Sequence, residues 1–93
     1  MDRGKLIRAV AERIERDNEL WRQGRATSPD QRDYVLDALD VLEASDPTYT
    51  RPSDEETERL AEVLFADCGE TYVTAGDIAA FLITELAGPP VSA

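Results

Sequence analysis

The chain has 93 residues, of which 20 are acidic and 10 basic, and its formal net charge at pH 7 is −10. This length predicts one domain, residues 1–93, because a second hydrophobic core would need a longer chain. The negative charge disfavours direct binding to nucleic acid or to anionic membranes, and no apolar run approaches the roughly 20 residues that cross a bilayer.

The first predicted helix covers residues 3–23. Its apolar stripe is formed by Ile7, Val10, Ala11, Ile14 and Trp21, with Leu6 and Leu20 beside it. Asp2 is a suitable N-cap, and Gly24 is a good left-handed stop. Asn18 also falls on the stripe, and we expect it at the partly solvated edge.

The two signs of charge are unevenly distributed along the chain. Residues 1–25 hold seven bases and five acids, whereas residues 26–93 hold three bases and fifteen acids. The arginines of the first helix alternate with acidic side chains, so a nucleic-acid duplex would meet net repulsion. The acidic remainder attracts basic surfaces, although simple solubility accounts for the same excess equally well.

The second predicted helix covers residues 29–44. Ser28 is expected to cap it, with Pro29 at the first helical position and Gln31 closing a capping box. The inward residues are Val35, Ala38, Leu39 and Leu42. At spacings of three, four and three, an acidic row lines one outer face of this helix: Asp30, Asp33, Asp37 and Asp40.

The third predicted helix covers residues 54–68, after a proline-bracketed loop over 45–52. Ser53 and Glu56 form another capping box, and Gly69 ends the helix. The inner face contains Leu60, Ala61, Leu64 and Cys68, and Val63 and Phe65 are expected to flank it. A second outer acidic row contains Glu55, Glu58 and Glu62, with an expected ion pair from Glu55 to Arg59.

The fourth predicted helix covers residues 75–87 and is the most apolar part of the chain. Thr74 and Asp77 form a capping box at its start. Between Ile78 and Ala87 only Thr84 and Glu85 are polar, which indicates a buried centre or a permanent interface. Four helices with short loops predict a compact all-α four-helix domain.

The start of the fourth helix resembles the exit half of an EF-hand. Tyr72-Val73-Thr74 followed by Asp77-Ile78 matches the end of that loop and the entry to its second helix. The first two ligand positions would be Ala66 and Cys68, which supply no side-chain oxygen. We therefore expect no calcium site.

The residues that enzymes use most often are absent from this sequence. The chain has no histidine, so it has no imidazole base and no histidine metal ligand. Cys68 has no histidine to activate it, and neither a GxSxG motif nor a Walker loop occurs. We expect a protein with no catalytic residue, no metal and no cofactor.

The acidic rows are the basis of the first functional hypothesis. Carboxylates one helical turn apart lie a few ångströms apart, which is comparable to the phosphate spacing of a duplex. We expect the two rows to bind a protein with a basic surface, as a nucleic-acid mimic does. Small acidic helical proteins of this profile often inhibit nucleases, toxins or CRISPR effectors, an argument from analogy alone.

The alternative hypothesis is a structural subunit or assembly adaptor. It would dock through exposed apolar surface at Phe81, Ile83 or Trp21, and the acidic faces would only confer solubility. Either a monomer or a homodimer is compatible with the sequence. A single cysteine and an N-terminus without a continuous apolar core predict a cytoplasmic location.

Overall fold

The computed structural model describes residues 2–67 and 74–88. Within these ranges the chain forms four helices and no strand. In chain order they are α1 (Arg3–Arg22), α2 (Gln31–Ser45), α3 (Asp54–Asp67) and α4 (Ala75–Ala87). The predicted compact all-α, four-helix architecture is confirmed.

Helices α1 and α4 begin where the sequence predicts. The Asp2 carboxylate accepts a hydrogen bond from the Gly4 amide at 2.9 Å, and Gly24 after the helix has a φ of 72°. At α4, the Thr74 hydroxyl accepts from the Asp77 amide at 3.1 Å, and the Asp77 carboxylate accepts from the Thr74 amide at 3.3 Å. Each bond satisfies an amide that the first turn leaves without a helical partner.

The start of α2 differs from the prediction. Its N-cap is Asp30, and the capping box joins Asp30 to Asp33 instead of Ser28 to Gln31. The two carboxylates satisfy each other's backbone amides at 3.1 and 3.0 Å. The box shifts by two residues because aspartate caps a helix as well as serine and a second aspartate stands three positions on.

The start of α3 is capped by Ser53, whose hydroxyl accepts from the Glu56 amide at 3.2 Å. The expected pair from Glu55 to Arg59 is wrong, because Arg59 donates to Glu56 instead, at 2.9 Å. The predictions for the end of this helix, Cys68 and Gly69, lie outside the described residues. So do the extended segment 70–73 and the tail 89–93.

All four helices contribute to one hydrophobic core. The fully buried large side chains are Val10, Ile14, Val35, Leu39, Leu60, Leu64, Leu82 and Ile83. Every inward position predicted on α2 is buried, and Tyr34 and Val41 join them. The prediction that Trp21 belongs to the apolar stripe of α1 is wrong, because its side chain is 48% exposed. Trp21 lies in the last turn of α1, beyond Ile14, which is the last buried residue of that helix.

Helix α4 is held in the core at both its apolar face and its C-terminal end. Ile78, Ala79, Leu82 and Ile83 are its buried side chains. Arg3 donates to the carbonyl of Gly88 at 2.8 Å, and the Tyr49 hydroxyl donates to that of Leu86 at 3.2 Å. These donors satisfy carbonyls near the end of the helix. Among the described residues, no helix has both the length and the apolar character needed to cross a membrane.

Candidate partner-binding site

The first half of α2 separates two concave regions of the surface. One is a pocket of about 330 Å³ against α1, lined by Asp17, Asp33 and Asp37 among others, which we call the α1 pocket. The other is a groove of about 380 Å³ against α3, which we call the α3 groove. Its charged and aromatic lining consists of Asp30, Arg32, Glu58, Glu62 and Phe65.

The two N-terminal aspartates of the α2 row are helix caps as well as surface charges. Asp30 and Asp33 are both exposed, and each uses one carboxylate oxygen for the capping box. Negative charge at a helix N-terminus is favourable, because it faces the positive end of the helix dipole. The row therefore does not cost stability at this end.

Asp37 does not lie on the outer face where the sequence placed it. It is half-buried between α2 and α1, and its Oδ2 is fully buried without a hydrogen-bond partner among the described groups. The pKa of Asp37 is raised to about 8, first by burial and then by the neighbouring carboxylate of Asp17. Arg13 opposes this rise and Asp40 adds to it. Burial beside a second carboxylate therefore favours the protonated form of Asp37 at neutral pH.

Asp40 is engaged by two arginines. Its Oδ1 accepts from Nη2 of Arg51 at 2.9 Å, and its Oδ2 lies 3.9 Å from Nη1 of Arg13. Arg51 also pairs with Glu43, and hydrogen bonds to Glu43 and then to Asp40 raise the pKa of the Arg51 guanidinium. Since these groups offset one another, Asp40 contributes little unbalanced negative charge.

The α3 groove brings together members of both predicted acidic rows. Asp30 comes from α2, and Glu58 and Glu62 come from α3. Arg32 is the only basic residue among those that line the groove, and its Nη1 lies 2.7 Å from Oε1 of Glu58. Three carboxylates against one guanidinium leave the lining of the groove negative.

The acidic row of α3 extends beyond the groove and keeps two unpaired members. Glu55 lies one turn before Glu58, and both Glu55 and Glu62 are exposed. Within residues 2–67 and 74–88, neither of them has an ion-pair partner within 4 Å. Of the seven predicted partner-binding residues, Asp30, Glu55, Glu58 and Glu62 therefore gather on the α3 side, whereas Asp33, Asp37 and Asp40 do not.

Sequence reasoning did not name Asp17, and it wrongly placed Phe65 at the flank of the inner face of α3, since the Phe65 side chain is 74% exposed. Asp17 follows Ile14 by three positions, so helical spacing already placed it on the inner stripe of α1. Phe65 follows Glu62 by three positions, so the same spacing placed it on the outer row of α3. In both cases the position, not the residue type, carried the signal.

The apolar surface named in the alternative hypothesis is largely used by the core. Ile83 is 0% exposed, and Phe81 is partly buried against the core cluster. Only Trp21 remains substantially exposed among the three residues named for that role. The other exposed large apolar side chain of the described residues is Phe65, on α3.

Comparisons with known proteins find no relative of this chain. The chain matches no family model, no curated protein and no solved structure. Within the described residues, no group of three or more histidine, cysteine, aspartate or glutamate side chains is arranged to hold a metal ion.

Proposed function

We propose that this chain is a non-catalytic protein-binding protein that engages a basic protein surface through the α3 groove. The observation that carries the proposal is the convergence of Asp30, Glu58 and Glu62 around a single arginine. Glu55 extends the same negative surface along α3. A net charge of −10 on the whole chain would steer a basic partner towards it and accelerate association.

The partner class that fits best is a protein whose own ligand is a nucleic acid. Lysines and arginines that contact phosphates would meet carboxylates at similar spacing, and their binding surface would be masked. The chain would then act as an inhibitor of the immunity, antitoxin or anti-CRISPR type in the cytoplasm. The assignment to this class of inhibitor is supported by the negative charge of the chain and by analogy with other small acidic helical inhibitors.

The test compares two variants of equal charge. One replaces Glu55, Glu58 and Glu62 on α3 by glutamine; the other replaces Glu12, Glu15 and Glu19 on α1 by glutamine. Each set includes one glutamate in an ion pair, Glu58 with Arg32 and Glu19 with Arg22. The probe is a fluorescent ten-residue lysine peptide, with binding followed by anisotropy at low and high salt.

We expect the α3 variant to bind the lysine peptide about tenfold more weakly at low salt and the α1 variant to bind like the wild type. Equal weakening in both variants would show that only net charge attracts the peptide, and the proposal would be overturned. Circular dichroism and thermal unfolding check that both variants keep the fold.

The hypothesis of two acidic rows also predicts weaker partner binding when Asp33, Asp37 and Asp40 are replaced by asparagine. In the structure Asp33 caps a helix, Asp37 is half-buried beside Asp17, and Asp40 pairs with arginines. That variant changes the stability of the fold together with its surface charge. The α3 glutamates separate the two effects, because their side chains are exposed.

A further inference from the structure

The largest exposed apolar side chain of the described residues stands at the end of the acidic row of α3. Phe65 is 74% exposed, compared with 48% for Trp21. It follows Glu58 by seven positions and Glu62 by three, so the three side chains share one face of the helix. The exposed row thus passes from carboxylates to an aromatic ring within about two turns.

Phe65 lies within the same groove as the converging carboxylates. The groove also contains Ala61, which is 8% exposed and belongs to the hydrophobic core. Ala61 and Phe65 stand one helical turn apart on α3 and are the apolar residues of the groove, whose lining also includes Asp30, Glu58 and Glu62. An exposed aromatic ring beside a charged rim is the arrangement of an anchor position in protein interfaces.

The charge of the rim decides which occupant fits the groove. A second copy of this chain would bring the same negative rim and a net charge of −10, so the two copies would repel each other. A nucleic acid would be repelled for the same reason. A basic protein segment is attracted by the rim, and it requires an apolar side chain to cover Phe65.

We propose that the α3 groove binds a protein segment in which one aliphatic side chain, flanked by lysines or arginines, packs on Phe65. This inference rests on the proposed function of the same groove and specifies its partner. The flanking cations pair with Glu58, Glu62 and Asp30. The aliphatic side chain gives the contact a component that salt does not screen.

The experiment uses two fluorescent peptides that differ at one residue. Both are lysine-rich, and the central residue is leucine in one and serine in the other. Anisotropy gives the Kd of each peptide for the wild type, for Phe65→Ala and for Trp21→Ala. Trp21→Ala is the matched control because it removes the other exposed large apolar side chain, on α1.

We expect the wild type and Trp21→Ala to bind the leucine peptide about thirtyfold more tightly than the serine peptide. Phe65→Ala should lose this preference and keep the salt-sensitive binding of both peptides. Because Phe65 is mainly exposed, its variant should unfold at nearly the same temperature as the wild type.

Three outcomes would overturn the inference. In the first, the wild type binds both peptides equally well and only the α3 glutamine variant binds them more weakly. This result would contradict the packing of an aliphatic side chain on Phe65 but would still support the proposed function. Binding that no α3 substitution changes would remove both. A dimer in light scattering that Phe65→Ala converts to a monomer would assign the ring to contact with a second copy.

Discussion

The two sides of α2 carry the same kind of side chain in opposite physical states. On the α1 side, Asp37 faces Asp17 in a partly enclosed pocket, and its pKa is raised to about 8. On the α3 side, Glu58 is about half exposed and pairs with Arg32 at 2.7 Å. Burial keeps the proton on the Asp37 carboxyl. The Glu58 carboxyl stays accessible to solvent and forms an ion pair at the surface.

This difference shows that counting acids overstates the charge that a partner meets. With Asp37 mainly protonated at pH 7, the molecule carries about one negative charge fewer than the formal −10. Arg13 and Arg51 further offset Asp40 on the same helix. Of the seven predicted partner-binding residues, the two that are exposed and take part in neither a helix cap nor an ion pair, Glu55 and Glu62, both lie on α3.

The largest expected effect belongs to Asp37→Asn. Between pH 3.8 and about 8, the folded chain keeps a proton on Asp37 that the unfolded chain has lost. Unfolding therefore becomes easier as the pH rises through that window, and the loss is complete above about pH 8. Asparagine cannot ionise, so it removes this cost. After allowance for solvent screening of a half-exposed group, we expect a gain of about 1–2 kcal/mol in the free energy of unfolding at pH 9.

Urea unfolding of the wild type and of Asp37→Asn at pH 5, 7 and 9 measures this effect. The advantage of the variant should grow with pH and be smallest at pH 5. Glu62→Gln is the control, since Glu62 is exposed on the other side of α2. Parallel pH profiles for the wild type and Asp37→Asn would mean that Asp37 ionises like an exposed carboxyl, and the contrast between the two sides would disappear.

A smaller effect is expected from Tyr34→Phe, which removes a hydroxyl on the α1 side. Nδ2 of Asn18 donates to the Tyr34 hydroxyl at 3.2 Å and to the carbonyl of Ile14 at 2.9 Å. Because the Tyr34 side chain is buried, we expect a loss of about 1 kcal/mol in the free energy of unfolding. Unlike the effect of Asp37→Asn, this loss should be the same at pH 5 and pH 9. A pH-dependent loss would show that the tyrosine is coupled to the Asp17–Asp37 pair.

Much of the fold is readable from the sequence because its signals are local. The Thr74–Asp77 capping box and the apolar run after it fix α4, and the structure reproduces both. The start of α2 is not fixed in this way, since Ser28 with Gln31 and Asp30 with Asp33 are overlapping boxes of similar strength. Local rules allow either one, and the structure forms the second.

The candidate site is less readable because exposure depends on how many neighbours a helix has. Helix α2 packs against α1, α3 and α4, so its exposed arc is narrow, and Asp37 falls inside the packed arc between Tyr34 and Val41. Helix α3 packs chiefly on α2, so its outer arc is wide and reaches Phe65. The spacing of the acidic residues along the chain predicts neither the narrow exposed arc of α2 nor the wide exposed arc of α3.

The smallest expected effect on stability belongs to Glu58→Gln on the α3 side. The side chains of Arg32 and Glu58 are 54% and 49% exposed, so their ion pair contributes about 0.5 kcal/mol or less to folding. The same change releases the guanidinium of Arg32 into the groove and makes its lining less negative.

For Glu58→Gln we therefore expect a nearly unchanged unfolding free energy together with weaker binding of the lysine peptide at low salt. Thermal unfolding and anisotropy on one preparation measure both. A loss of stability as large as that of Tyr34→Phe would mean that this pair supports the fold, and that the two sides of α2 differ less than their exposure indicates.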